Sequence, residues 1–164
     1  MIVTAGDLIA FAAGRGVIID AGEAPVLLQS ATDYLNRQNW VGEQADLLQD
    51  DAWPRINFYS PGAAFIDGND AAVGIAKGEY ITDPVTPKAV IMAAYQLAIV
   101  AIDTELNATG GQAETTRETV GPITVEYAES SLGGDVSFSW WDSLLGPFIL
   151  DDGNFAGNFD VYRG

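Results

Sequence analysis

The stretch TPKAVIMAAYQLAIVAIDTEL, residues 86–106, decides how the rest of the chain must be arranged. Thr86 before Pro87 reads as a helix start, and the helical pattern continues to about Leu106, where Asn107 and Gly110-Gly111 end it. The stretch is apolar around nearly its whole circumference. Fourteen residues, Ala89 to Ile102, are interrupted only by Gln96, which is too short a run to span a bilayer. Ala89, Ala93, Ala94, Ala98 and Ala101 permit close backbone approach, so this long apolar helix must be covered on several sides. The flanking segments cover it poorly, and other copies of the chain are expected to supply the remainder.

Upstream, Thr4-Ala5-Gly6-Asp7 has capping-box spacing, Leu8, Phe11 and Ala12 share one face, and Gly14 and Gly16 supply a stop. A second helix is expected from Pro25 to about Gln38. Leu27, Leu28, Ala31, Tyr34 and Leu35 form its apolar face, opposite Ser30, Asp33, Asn36 and Arg37. Residues 39–84 lose periodicity and mix Gly, Pro, Asn and Asp with isolated aromatics, which predicts a long irregular loop with one helical turn near Asp46 to Gln49. A loop of that length must hide short elements or pack on neighbouring subunits.

Downstream, Val120, Ile123, Val125 and Tyr127 are β-formers around a Gly121-Pro122 bend, so residues 114–128 read as a two-stranded arm that needs another surface to lie on. Ser137 or Ser139 is placed as the cap of a short final helix through Trp140, Trp141, Leu144, Leu145 and Phe148. The Trp140-Trp141 pair suits either an interface hot spot or core packing. The tail, residues 151–164, carries Phe155, Phe159, Val161 and Tyr162 among Gly and Asn, a strap with aromatic anchors. The expected architecture is therefore mainly α: a small helical bundle around one long apolar helix, with an extended β-arm and an extended C-terminal tail. Residues 1–150 form the domain and 151–164 the tail.

Composition narrows the chemistry. The 164 residues include 23 Asp and Glu against 7 Lys and Arg, a formal charge of −16, with no His and no Cys. Serine and cysteine triads, His acid–base chemistry, structural zinc sites and disulfides are thereby removed. No cofactor is expected. The charge opposes nucleic acid and anionic lipid, since each needs a basic patch. The N-terminus lacks a basic region before its apolar stretch, so no secretory signal is expected.

Several blocks carry a resemblance. They are Ser30-Ala31-Thr32-Asp33-Tyr34-Leu35, Trp40-Val41-Gly42 with Gln44, Ala52-Trp53-Pro54-Arg55, Val85-Thr86-Pro87-Lys88-Ala89-Val90, Glu118 to Tyr127, and Asp142-Ser143-Leu144-Leu145-Gly146-Pro147-Phe148. In this order and spacing the chain resembles the phage family labelled "putative DnaT-like single-stranded-DNA-binding protein", whose members look like head-to-tail connector, or adaptor, proteins. Residues 58–84 and those beyond Ile149 depart from the family pattern. The resemblance implies a non-enzymatic virion protein of the neck, made in the host cytoplasm and assembled as a dodecameric ring between portal and tail. Double-stranded DNA would pass through its lumen without specific binding, and no membrane is involved. It carries over no catalytic residue.

Candidate contacts follow. Val120, Gly121, Pro122, Ile123, Val125 and Tyr127 are assigned to the subunit interface, Phe155, Phe159 and Tyr162 to anchoring on the portal or a neighbour, and Trp40, Trp53, Pro54 and Arg55 to anchoring the loop. Trp53-Pro54-Arg55 also has the residue types for stacking nucleobases, which keeps single-stranded-DNA binding as an alternative. Asp50-Asp51, Asp151-Asp152 and the Asp67, Asn69, Asp70 group are read as solvated carboxylates rather than metal ligands. A carboxylate-based hydrolase is the remaining enzymatic alternative. From Asp103 to Asp135 seven residues are acidic and only Arg117 is basic, so this region is the candidate lumen face.

Overall fold

The computed structural model describes residues 3–62, 77–106, 117–120, 123–127 and 136–150, and among these residues there are four α-helices and seven short strands. Helix α1 (Ala5–Ala13) starts where the Thr4 hydroxyl accepts from the Asp7 amide at 3.2 Å and donates to the Asp7 carboxylate at 2.6 Å. It ends at Gly16, whose φ of +76° suits glycine. There the Val17 amide reaches the Ala12 carbonyl at 3.0 Å and the Gly16 amide reaches Ala13 at 3.1 Å, the paired bonds of a Schellman stop.

Helix α2 (Ala24–Asn36) has Pro in its first turn and buries Leu28, Ala31, Thr32 and Leu35, with Leu27 and Tyr34 half-buried. Thr32 is accommodated in this stripe because its hydroxyl donates to the Leu28 carbonyl at 2.8 Å. Carbonyls in the last turn find side-chain donors: Gln38 Nε2 reaches Tyr34 at 3.1 Å and Trp40 Nε1 reaches Leu35 at 2.8 Å.

The apolar segment folds as α3 (Lys88–Val100), a helix of 13 residues. It is shorter than the pattern through Leu106 predicts, and the long apolar helix is not observed. Beyond Val100 the amides of Ile102 and Asp103 bond three residues back, to Ile99 and Val100 at 3.2 Å, so the chain tightens into turns. At the other end Pro87 occupies the cap position, and the Thr86 hydroxyl makes no cap. Ala89, Val90, Ala93, Ala94, Leu97, Ala98, Ile99 and Val100 are all buried by the chain itself, chiefly by α1, α2 and the final helix. The expectation that other copies must cover this helix is corrected accordingly. Three short helices suffice to cover it.

Tyr95 lies half-buried on α3, its ring 5.0 Å from that of Phe11. Burial, seconded by the charge of Asp7, pushes its phenol above the usual value. The folded chain thus holds this proton more tightly than the unfolded chain. The resulting stability is fully present below about pH 10 and is lost as pH rises through the folded value. Tyr95→Phe is expected to flatten the alkaline limb of stability against pH, followed by urea unfolding between neutral and strongly alkaline conditions. Coincident limbs would remove Tyr95 as the cause.

The 39–62 segment contains short elements. Strand β1 (Glu43–Gln44) pairs antiparallel with β2 (Arg55–Ile56), and β3 (Phe58–Tyr59) with β4 (Tyr80–Ile81). The turn near Asp46 to Gln49 is closed by the Gln49 amide on the Asp46 carbonyl at 3.2 Å.

The arm is part of a three-stranded antiparallel sheet rather than a two-stranded hairpin. Strand β6 (Ile123–Tyr127) lies between β5 (Arg117–Val120) and β7 (Val136–Phe138), with Val120 opposite Ile123 and Val125 opposite Phe138. Phe138 is buried and meets Tyr34 of α2 at 5.9 Å, so the sheet is tied to the helical body at that residue. Helix α4 (Trp141–Leu145) follows directly, capped by the Trp140 backbone and by neither Ser137 nor Ser139, and it runs into a 3-10 turn at Gly146–Phe148.

Candidate functional site

The segment that looks least ordered in sequence builds an aromatic cluster. Trp40, Trp53, Phe58 and Phe148 are all buried. Trp53 lies 5.4 Å from Trp40, 5.7 Å from Phe58 and 5.9 Å from Phe148, each pair edge to face. The Trp53 faces and edges are therefore occupied by protein, and its 6 % exposure leaves no plane on which a nucleobase can stack.

Arg55 closes the segment on itself. Its Nε donates to the Val41 carbonyl at 2.7 Å, one terminal nitrogen to Gly42 at 2.7 Å and the other to Ala52 at 3.2 Å. Its backbone exchanges hydrogen bonds with Val85. Burial draws the guanidinium below its usual value, and the charge on Glu43 opposes that shift. Three of the five guanidinium donors, one on each nitrogen, are thus taken by carbonyls of the segment itself. Gly42 sits beneath it with a φ of +70°, and a Cβ there would run into the Ile56 carbonyl and the Phe58 ring.

Two other arginines are exposed and each reaches a carbonyl and a ring. Arg15 donates to the Phe11 carbonyl at 3.2 Å and lies 3.5 Å over the Phe11 ring, and Arg37 donates to the Leu106 carbonyl at 3.3 Å beside Tyr34.

An open cleft of about 400 Å³, solvent at its mouth included, is lined by Val3, Leu35, Trp53, Thr86, Val90 and Ile91 among others. Trp53 Nε1 and the Thr86 hydroxyl have no hydrogen-bond partner and are shielded in its wall. Among the described residues no cluster of three acidic side chains could hold a metal ion, and no helix is long and apolar enough to cross a membrane.

The predicted site residues divide into three sets. Trp40, Trp53, Pro54 and Arg55 are brought together. Val120, Ile123, Val125 and Tyr127 are placed by backbone pairing alone, and Gly121 and Pro122 lie outside the described residues. Phe155, Phe159 and Tyr162 also lie outside them. Of the acidic run, Asp103 and Glu105 are exposed.

Sequence reasoning placed a turn near Asp46 to Gln49 but missed that its Leu47 and Leu48 are 94 % and 89 % exposed. Adjacent leucines among carboxylates in a stretch without periodicity are the signal that marks them. Ile18, Val26, Tyr59 and Tyr80 are further large exposed side chains, the two tyrosines being paired across β3 and β4 at 5.0 Å.

These features describe a small α-rich domain with an internally braced aromatic loop and an acidic surface carrying isolated apolar side chains. The chain belongs to the family described as "Putative DnaT-like ssDNA binding protein", whose model matches residues 2–164. That description names single-stranded DNA and says nothing of a connector. No curated protein and no solved structure matches the chain.

Proposed function

We propose that the chain is a structural assembly subunit, a head-to-tail adaptor that forms a ring between a portal and the tail. One observation carries this reading: the described surface offers large apolar side chains for protein contact, while Arg55 is committed to three internal carbonyls and the exposed cations Arg15, Arg37, Lys77 and Lys88 are few against 23 acidic residues. In a chain at −16 this leaves little to hold phosphates. Within this reading residues 120–127 contribute to contacts between subunits, Phe155, Phe159 and Tyr162 anchor the tail on the portal or a neighbour, and Trp40, Trp53, Pro54 and Arg55 brace the loop. Acidic side chains such as Asp103 and Glu105 would face the lumen, where like charge keeps passing DNA from adhering.

The family description favours a second reading, single-stranded-DNA binding. Light scattering of the purified chain, alone and with its cognate portal ring, separates the two. The expected result is a stoichiometric ring on the portal, no retention on immobilised single-stranded DNA at physiological salt, and weaker docking after deletion of residues 151–164 with the domain still folded. Retention on DNA by a chain that ignores the portal would overturn the adaptor.

A further inference from the structure

The turn at residues 46–49 is built to hold two leucines in water. The Asp46 carboxylate accepts from the Leu48 amide at 2.9 Å, and the Gln49 side-chain oxygen accepts from the Asp46 amide at 3.1 Å. Gln49 Nε2 then pins the turn to the body through the Asp51 and Pro54 carbonyls, at 2.7 and 3.0 Å. The Ala45 amide adds a bond to the same Pro54 carbonyl at 3.2 Å. Nothing in this arrangement shelters Leu47 or Leu48. A pair of leucines almost wholly exposed on a braced turn is a preorganised anchor, because little conformational freedom remains to be lost on docking.

Charge identifies the occupant. From Glu43 to Asp51 the chain carries four carboxylates, Glu43, Asp46, Asp50 and Asp51, and no cation. Arg55 nearby is committed to its three carbonyls. A second copy is a poor partner: its apolar cleft is itself lined by Asp51, and bringing an acidic turn to it sets like charges together. We infer that Leu47 and Leu48 dock into an apolar groove rimmed by Lys or Arg on the portal ring, with the flanking carboxylates steering the approach. The inference rests on the adaptor reading and assigns it a contact surface separate from the arm and the tail.

The test uses the full chain and the cognate portal ring. Leu47→Ser with Leu48→Ser is expected to weaken docking by about thirty-fold or more, since two buried leucines are lost, while the melting temperature stays at the wild-type value because both side chains are exposed. Glu43→Gln with Asp50→Asn is expected to slow association and to reduce its dependence on salt. If the serine variant docks like wild type, the turn is excluded and the adaptor reading stands. If the wild-type chain itself does not dock, both fall. Docking indifferent to salt would eliminate the basic rim. Self-association of the wild type that the serine variant abolishes would make a second copy the occupant and overturn the portal assignment.

Discussion

Replacing Phe148 by alanine is expected to lower the unfolding free energy by about 3–5 kcal/mol, the range for removing a fully buried aromatic ring. Phe148 has no exposed surface and packs edge to face on Trp53 and Phe58 at 5.9 and 6.2 Å. Its removal strips one side from both rings. The backbone adds a constraint that limits collapse into the cavity, because the Phe148 carbonyl accepts from the Val41 amide at 2.9 Å. Phe148→Leu, which refills much of the space, should lose well under half as much. Urea unfolding of both variants checks this, and a loss below about 1 kcal/mol for alanine would mean that the cluster repacks freely.

The second large effect concerns Arg55. Arg55→Met keeps the aliphatic stem and removes the guanidinium, leaving the Val41, Gly42 and Ala52 carbonyls without their donor. These carbonyls are part-buried, so about 2–4 kcal/mol is expected rather than three full penalties. Arg55→Lys should recover only part of this, since one ammonium cannot reproduce a planar fork. The experiment also discriminates between roles. An arginine that served DNA would leave stability unchanged when replaced and lose binding instead, whereas a brace shows the reverse.

Much of the helical framework was legible because its signals are local. The Thr4 and Asp7 cap, Pro25 in the first turn of α2 and the stripe of Leu28, Ala31 and Leu35 all act within one or two turns of chain. The end of α3 was misjudged for the same reason: Ile102 and Leu106 continue the apolar pattern, but the backbone has already tightened after Val100. Burial of α3 was misjudged because the packing of α1, α2 and the final helix against it is a tertiary arrangement, which periodicity does not encode. The aromatic cluster was illegible as a unit. Phe148 lies far in sequence from Trp40, Trp53 and Phe58, the four share no period, and the carbonyls that Arg55 holds carry no side-chain signature. Of the candidate site, the block around Trp53 could be named in advance as a loop anchor, but the particular rings and carbonyls it packs against could not.

The way the chain leaves the fold has a mechanical consequence. Trp40 bridges to Ile149, the Val41 amide bonds to Phe148, and the Leu150 amide bonds to the Asn39 carbonyl at 2.7 Å. Any pull on the residues beyond Leu150 is therefore taken up first by this short antiparallel seam and then by the Phe148 ring behind it. There is no slack between the outgoing chain and the centre of the domain. Tension applied at Leu150 is transmitted as shear through this seam into the aromatic cluster.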